Sequence, residues 1–145
     1  MKANRAEIER ALDVPPAHVR LFLLYGPDEA ESRSLAQRLE RAMGAEAERV
    51  DLDGATLKGD PARLSDEAAS ISLFGDKRHI RLTLTGEECM PAIEALLDGD
   101  VAGNPVVAIA GALRPTSMLL KRALADPAVL ACINYALDTE KAAPL

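Results

Sequence analysis

Five short apolar segments alternate with stretches of helical spacing, and that alternation leaves the chain few folds. Arg20 to Tyr25 reads Arg-Leu-Phe-Leu-Leu-Tyr, an unbroken apolar run after its arginine. A strand without polar alternation has to be covered on both faces, as in a parallel sheet. Pro105 to Ala110 reads as a further buried strand, Val129 to Tyr135 as another strand, and Ala47 to Leu52 as a short one. Arg78 to Thr83 instead alternates, with Ile80 and Leu82 set against Arg81 and Thr83.

The intervening stretches have helical spacing and punctuation. Asn4 caps a helix to Asp13 with Ile8, Ala11 and Leu12 on one face, and Pro15-Pro16 stops it. Gly26-Pro27-Asp28 turns the chain. Asp28 then caps a helix carrying Leu35, Ala36, Leu39 and Met43, which ends at Gly44. Asp53 to Asp60 reads as a polar connection. Pro61 opens a helix with Leu64, Ala68 and Ile71 in one stripe, closed by Gly75. Pro91 to Leu97, ended by Gly99, and Thr116 to Ala125, halted by Asp126-Pro127, complete the set. Strands separated by helices predict an α/β fold, a five-stranded parallel sheet with helices on both faces and the first strand in its interior.

The chain has 145 residues, the length of one domain. Aromatic residues are only 3%, so Ala, Leu, Val and Ile have to build the core. The net charge of −6 speaks against this domain gripping a phosphate backbone on its own, because such binding needs clustered Lys and Arg. Cys89 and Cys132 lack the spacing of a metal site or a disulfide framework, and read as reduced, small apolar residues. His18 and His79 read as surface and strand-end residues. The charged start, Met1 to Glu7, lacks the apolar core of a signal peptide, and no apolar run approaches ~20 residues. The expected compartment is the cytoplasm, with no membrane partner.

The turn after the first strand stands where a nucleotide-binding protein carries its phosphate loop. A working loop runs Gly, four residues, then Gly-Lys-Ser/Thr. Its glycines let amides approach phosphate, its lysine reaches the outer phosphates, and its hydroxyl holds magnesium. Counted from Gly26, the closing positions are Glu31, Ser32 and Arg33. Glu31 would repel phosphate, no lysine follows, and Arg33 replaces the hydroxyl. Glu87 and Glu88 come late after the third strand, beyond Gly86, and the fourth strand ends Ala110-Gly111 without a polar side chain. The expectation is a P-loop NTPase-like scaffold with a degenerate nucleotide site. It has no catalytic residue, no cofactor and no metal.

Three stretches then carry a family resemblance. They are Leu21-Phe22-Leu23-Leu24-Tyr25-Gly26-Pro27-Asp28-Glu29, Ser72-Leu73-Phe74-Gly75-Asp76-Lys77-Arg78, and Pro105 to Ala110 with Arg114 to Leu120. In that order they resemble the N-terminal domain of the delta subunit of the bacterial DNA polymerase III clamp loader. The resemblance runs to about Tyr135. It implies an AAA+ type ATPase fold without ATPase activity, in a protein that binds and helps open the ring-shaped sliding clamp (the beta subunit) for loading onto primed DNA. The family's clamp contact is a leucine-phenylalanine pair at the end of the helix before the third strand. Here that matches Leu73 and Phe74, preceded by Ser70, Ile71 and Ser72. Clamp-binding peptides favour Gln at the position of Ser70, where this chain departs.

The family continues into lid and collar domains. Residues 1–137 therefore read as the AAA+-like domain and 138–145 as the start of a linker to a lid. The implied partners are the sliding clamp, the other clamp-loader subunits and, only through the assembled loader, DNA. Adjacent helical residues point roughly 100° apart, so with Ile71 inward, Leu73 and Phe74 cannot both be buried easily. Two other readings stand beside this one: a small nucleotide-binding enzyme with an unusual phosphate site, and an interaction module unrelated to replication.

Overall fold

Every position of strand β1 (Leu21–Tyr25) is buried. The computed structural model describes residues 1–70, 77–99 and 103–135. The remaining elements are α1 (Arg5–Asp13), α2 (Glu29–Met43), β2 (Glu48–Asp53), α3 (Gly54–Gly59), α4 (Ala62–Ala69), β3 (Arg78–Leu84), α5 (Met90–Asp98), β4 (Val106–Ala110), α6 (Met118–Ala125) and β5 (Val129–Ile133). The strands form one five-stranded sheet, β2-β3-β4-β1-β5, parallel throughout. β1 lies in its interior, with Leu21 level with Val106 on one side and Val129 on the other.

Alternation along β1 divides the core. Leu21, Leu23 and Tyr25 pack with Leu57 of α3, Leu64 of α4, Ile93 of α5 and Leu119 of α6. Phe22 and Leu24 pack on the other face with Ile8 and Leu12 of α1 and Leu35 and Leu39 of α2. The split follows from topology. The β1-to-β2 crossover runs one way along the sheet, and the other three run the opposite way. Crossovers of a single hand then put α2 on one face and α3 to α6 on the other. Each fully buried Leu, Ile or Phe contributes about 1.5–3 kcal/mol relative to exposure, so this double-sided cover dominates the fold's stability.

Several ends are set as the sequence predicts. Asn4 accepts the Glu7 amide at 2.8 Å and Glu7 accepts the Asn4 amide at 2.9 Å, a reciprocal cap on α1. Asp28 accepts the Glu31 amide at 3.0 Å and opens α2. Gly44, at φ 101°, ends that helix.

Two boundaries differ most from the sequence reading, while β5 stops at Ile133 and α6 starts at Met118, each two residues inside the expected range. The connection after β2 is not without structure: Asp53 accepts the Thr56 amide at 2.8 Å and caps α3, which buries Leu57. The helix opened at Pro61 does not reach Gly75. α4 ends at Ala69, and Ser70 is extended at φ −71° and ψ 153°. That end is capped locally by Ser70 and tied from elsewhere in the chain. Asn104, in the loop before β4, donates from Nδ2 to the carbonyls of Glu67 and Ser70, both at 2.9 Å.

The two sheet edges are protected differently. On β5, the Ala3 amide donates to Ala131 O at 2.8 Å and the Ala131 amide to Met1 O at 2.9 Å, so the N-terminal residues cover that edge. β2 reads Glu-Arg-Val-Asp-Leu-Asp, and its charges discourage pairing with another strand.

Candidate functional site

In a parallel α/β sheet, ligands settle at the carboxyl ends of the strands where neighbouring connections leave on opposite faces. Here that point lies between β1, followed by α2 on one face, and β4, followed by α6 on the other. A crevice of about 430 Å³ opens beside it, lined by Glu29, Thr85, Glu87, Gly111, Arg114 and Thr116.

The turn at this switch point is built from the chain's own donors and acceptors. The Gly26 amide donates to Gly111 O at 3.1 Å, the end of β4. The Asp28 amide donates to Asn134 O at 3.2 Å, and the Asn134 amide returns a bond to Tyr25 O at 2.7 Å. The Ser32 amide donates to Asp28 O at 3.2 Å, and the Asp28 side chain takes the Glu31 amide. Pro27 has no N–H. A phosphate loop works by leaving such amides free to point at an anion, and these four are already engaged.

Asn134 completes the lock. It is buried, and its Nδ2 donates to the buried Ser32 Oγ at 2.9 Å. The hydroxyl that would hold magnesium in a phosphate loop has another position in the sequence, and Ser32 itself serves as an acceptor for Asn134, the residue that follows β5. Gly26, at φ 119°, is the glycine the turn requires: a Cβ there would stand 2.2 Å from Asn134 O. The charge around the turn is acidic. Glu29 and Glu31 fill the first turn of α2, Arg5 pairs with Glu31 and Glu9, and Arg33 is exposed.

The late acid Glu87 also has a structural partner. It accepts the Met118 amide at 3.0 Å with one carboxylate oxygen and at 3.3 Å with the other, while Ser117 Oγ accepts the Leu120 amide at 3.2 Å. Together they cap α6. Among the described residues no group of three or more His, Cys, Asp or Glu is arranged to hold a metal ion. Cys89 and Cys132 are free and buried, and burial pushes the Cys89 thiol up to about 11, away from reactivity at neutral pH.

The residues that the sequence singles out for clamp contact lie between α4 and β3. Ser70 is described; Ile71, Ser72, Leu73 and Phe74 lie outside the described residues. Ser70 is half-buried. Its hydroxyl donates to Glu67 O at 2.8 Å and accepts from Arg78 Nη1 at 2.5 Å. It therefore acts as a cap at the end of α4. Arg78, the first residue of β3, has a mostly buried guanidinium that also bonds Glu48. Asn104 drew no attention at all. Its one signal is an Asn-Pro step before an apolar strand.

His79 departs from expectation too. It begins β3 but is buried on the face under α2, and neither ring nitrogen has a hydrogen-bond partner. Burial lowers its pKa from the ordinary value, and burial likewise lowers that of neighbouring Arg81. No family model matches the chain, and no curated protein is significantly similar to it.

Proposed function

We propose that this domain is the clamp-binding domain of a delta-type clamp-loader subunit, in which an AAA+ type scaffold binds the sliding clamp and does not turn over nucleotide. One observation carries the reading: Leu73 and Phe74 form a large apolar pair in the sequence shortly before β3, although α4 ends earlier, at Ala69, than the helix end at which the resemblance expects the pair. A large apolar pair is suited to a hydrophobic pocket on a protein partner. The turn after β1 supports the second half of the proposal. Four of its amides bond to Gly111, Asn134 and Asp28, and Glu29 and Glu31 stand in the first turn of α2, which disfavours phosphate there.

In this reading the partner is the beta-subunit ring. Ring opening follows from wedging Leu73 and Phe74 into it, with Ile71 and Ser72 alongside. Other loader subunits and primed DNA are reached through the assembled loader within the DNA polymerase III holoenzyme. The acidic domain, at net charge −6, leaves DNA contact to that assembly. The proposed compartment is the cytoplasm; no helix among the described residues is long and apolar enough to cross a membrane.

The direct test is binding of the purified 145-residue chain to the sliding clamp from the same organism, by surface plasmon resonance. Saturable binding at micromolar concentration or better is expected. No binding at 100 μM clamp, a ΔG weaker than about −5.5 kcal/mol, would remove the proposal.

A further inference from the structure

We propose that the groove between α5 and α6 is a docking surface for a basic amphipathic helix of a partner protein, an inference independent of the sliding-clamp reading. The groove measures about 620 Å³, against about 430 Å³ for the crevice at the switch point. Its walls are two helical rows. Met90, Glu94 and Asp98 follow one another at i, i+4 spacing on α5, and Met118, Arg122 and Asp126 do so along α6 and its cap. Both rows start apolar and end charged. The groove therefore has an apolar end, where Pro91 joins the two methionines, and a charged end.

The apolar end is displayed on a fixed frame. Met118 is 64% exposed, yet its backbone is held: Glu87 takes its amide with both carboxylate oxygens, and Ser117 caps the same helix. Met90 is partly buried against the core that Ile93 and Leu119 of the same two helices help to build. A single exposed apolar residue is ordinary, but here two methionines line one groove. Their unbranched, polarisable side chains adapt to the apolar face of a bound helix.

The charged end selects the partner's sign. Arg122 donates to Glu94 at 2.8 Å, to Asp98 at 3.1 Å and to Asp126 at 2.7 Å. Three carboxylates share that guanidinium, and Lys121 is the one other cation lining the groove, so this end stays net negative. The Glu94 and Asp98 side chains are 44% and 71% exposed, which leaves them within reach of a partner's cation. The chain's net charge of −6 adds long-range attraction for a basic segment. A basic helix laid in the groove sets apolar residues on Met90 and Met118, and a Lys or Arg beside Glu94 and Asp98, about one to two turns along. Lys121 opposes such a partner, which gives the proposal a test of sign.

The chain has four methionines, so methyl-labelled methionine gives a short NMR spectrum. Met90 and Met118 report the groove, and Met43, packed in the core on the other face of the sheet, is the control. The probe is a synthetic peptide with Leu at i, i+3, i+4 and i+7 and Lys on its flanks; its twin carries Glu in place of Lys. Saturable shifts at Met90 and Met118 are expected, with a Kd tighter than roughly 200 μM and Met43 unmoved. Met118→Gln should weaken binding about 5-fold or more, and Asp98→Asn about 2- to 5-fold at low salt. Lys121→Glu should tighten it. Each variant changes an exposed side chain, so the others stand if one fails to fold. Weaker binding than that limit, a glutamate twin that binds as well, or a Lys121→Glu chain that binds no tighter overturns the proposal. Equal shifts at Met43 do so too, since they mark non-specific adsorption. So do groove shifts that grow with the chain's own concentration before any peptide is added, which would make the groove a contact between copies of this chain.

Discussion

The backbone carbonyl of Asn134 lies 2.2 Å from where a Cβ on Gly26 would stand. The open side of this glycine, which in a phosphate loop would admit an anion, admits the residue just after β5 instead. The Asp28 amide completes the substitution by donating to that same carbonyl at 3.2 Å. A main-chain oxygen thus occupies a donor that a phosphate oxygen would otherwise seek.

Gly26→Ala should therefore be costly in two ways. Its φ of 119° is strained for any residue with a Cβ, and the atom it meets is backbone, which cannot swing aside. Strain of this kind costs of order 1–3 kcal/mol before the clash is counted. Urea denaturation should show a loss of about 3 kcal/mol or more. Gly44→Ala is the control: its φ is 101°, but nothing lies within 4 Å of its Cβ position. A Gly26→Ala loss no larger than the control's would mean that Asn134 does not press on the turn.

Magnesium-ATP and magnesium-GTP should show no saturable binding tighter than roughly 100 μM, about −5.5 kcal/mol. The four engaged amides leave phosphate little to bind, and the acids at the start of α2 oppose it. Isothermal calorimetry at millimolar nucleotide is the measurement. A fitted site tighter than that limit would restore the reading of a nucleotide-binding enzyme.

The sequence showed most of this architecture and little of its locking. β1 and β4 were legible because every position is apolar, a pattern that only a doubly covered strand makes necessary. α3 was missed because six residues with one buried leucine carry no periodicity. The end of α4 was placed too late because Ile71 continues the apolar stripe of Leu64 and Ala68. The observed end is also tied by Asn104, whose partners Ser70 and Glu67 lie 34 and 37 residues away in the chain. The lock on the turn is less visible still, since Asn134 and Ser32 are 102 residues apart. The absent lysine could be read one residue at a time. The amide partners could not, because they exist only once β5 lies beside β1.

Stability should fall in mild acid through His79. Its folded pKa is lowered, chiefly by burial, and Arg49 and Arg81 add to this while Glu40 and Asp51 oppose it. In the unfolded chain the imidazole titrates near 6.5. Above that pH it is neutral in both states and its contribution is fully present. Below it, the unfolded chain takes up a proton that the folded chain resists, so stability drops until the folded pKa is passed. The slope for one proton is at most about 1.4 kcal/mol per pH unit. Urea midpoints between pH 7.5 and 5.5 should move less for His79→Leu than for the parent. Equal movement would assign the acid sensitivity to other groups.

The functional prediction concerns Leu73 and Phe74. As a wedge they would each bury a large side chain in the clamp, worth about 1.5–3 kcal/mol apiece. Losing both in Leu73→Ala/Phe74→Ala should weaken clamp binding by about 100-fold or more, at 1.4 kcal/mol per factor of ten. Core packing makes the opposite demand. Large-to-small changes in a core cost about 2–5 kcal/mol each, and two of them would lower the melting temperature by many degrees. As a wedge, the pair predicts a double variant that melts within a few degrees of the parent while losing the clamp. Early melting would place the pair in the core, and parent-like clamp binding would take the contact elsewhere on the domain.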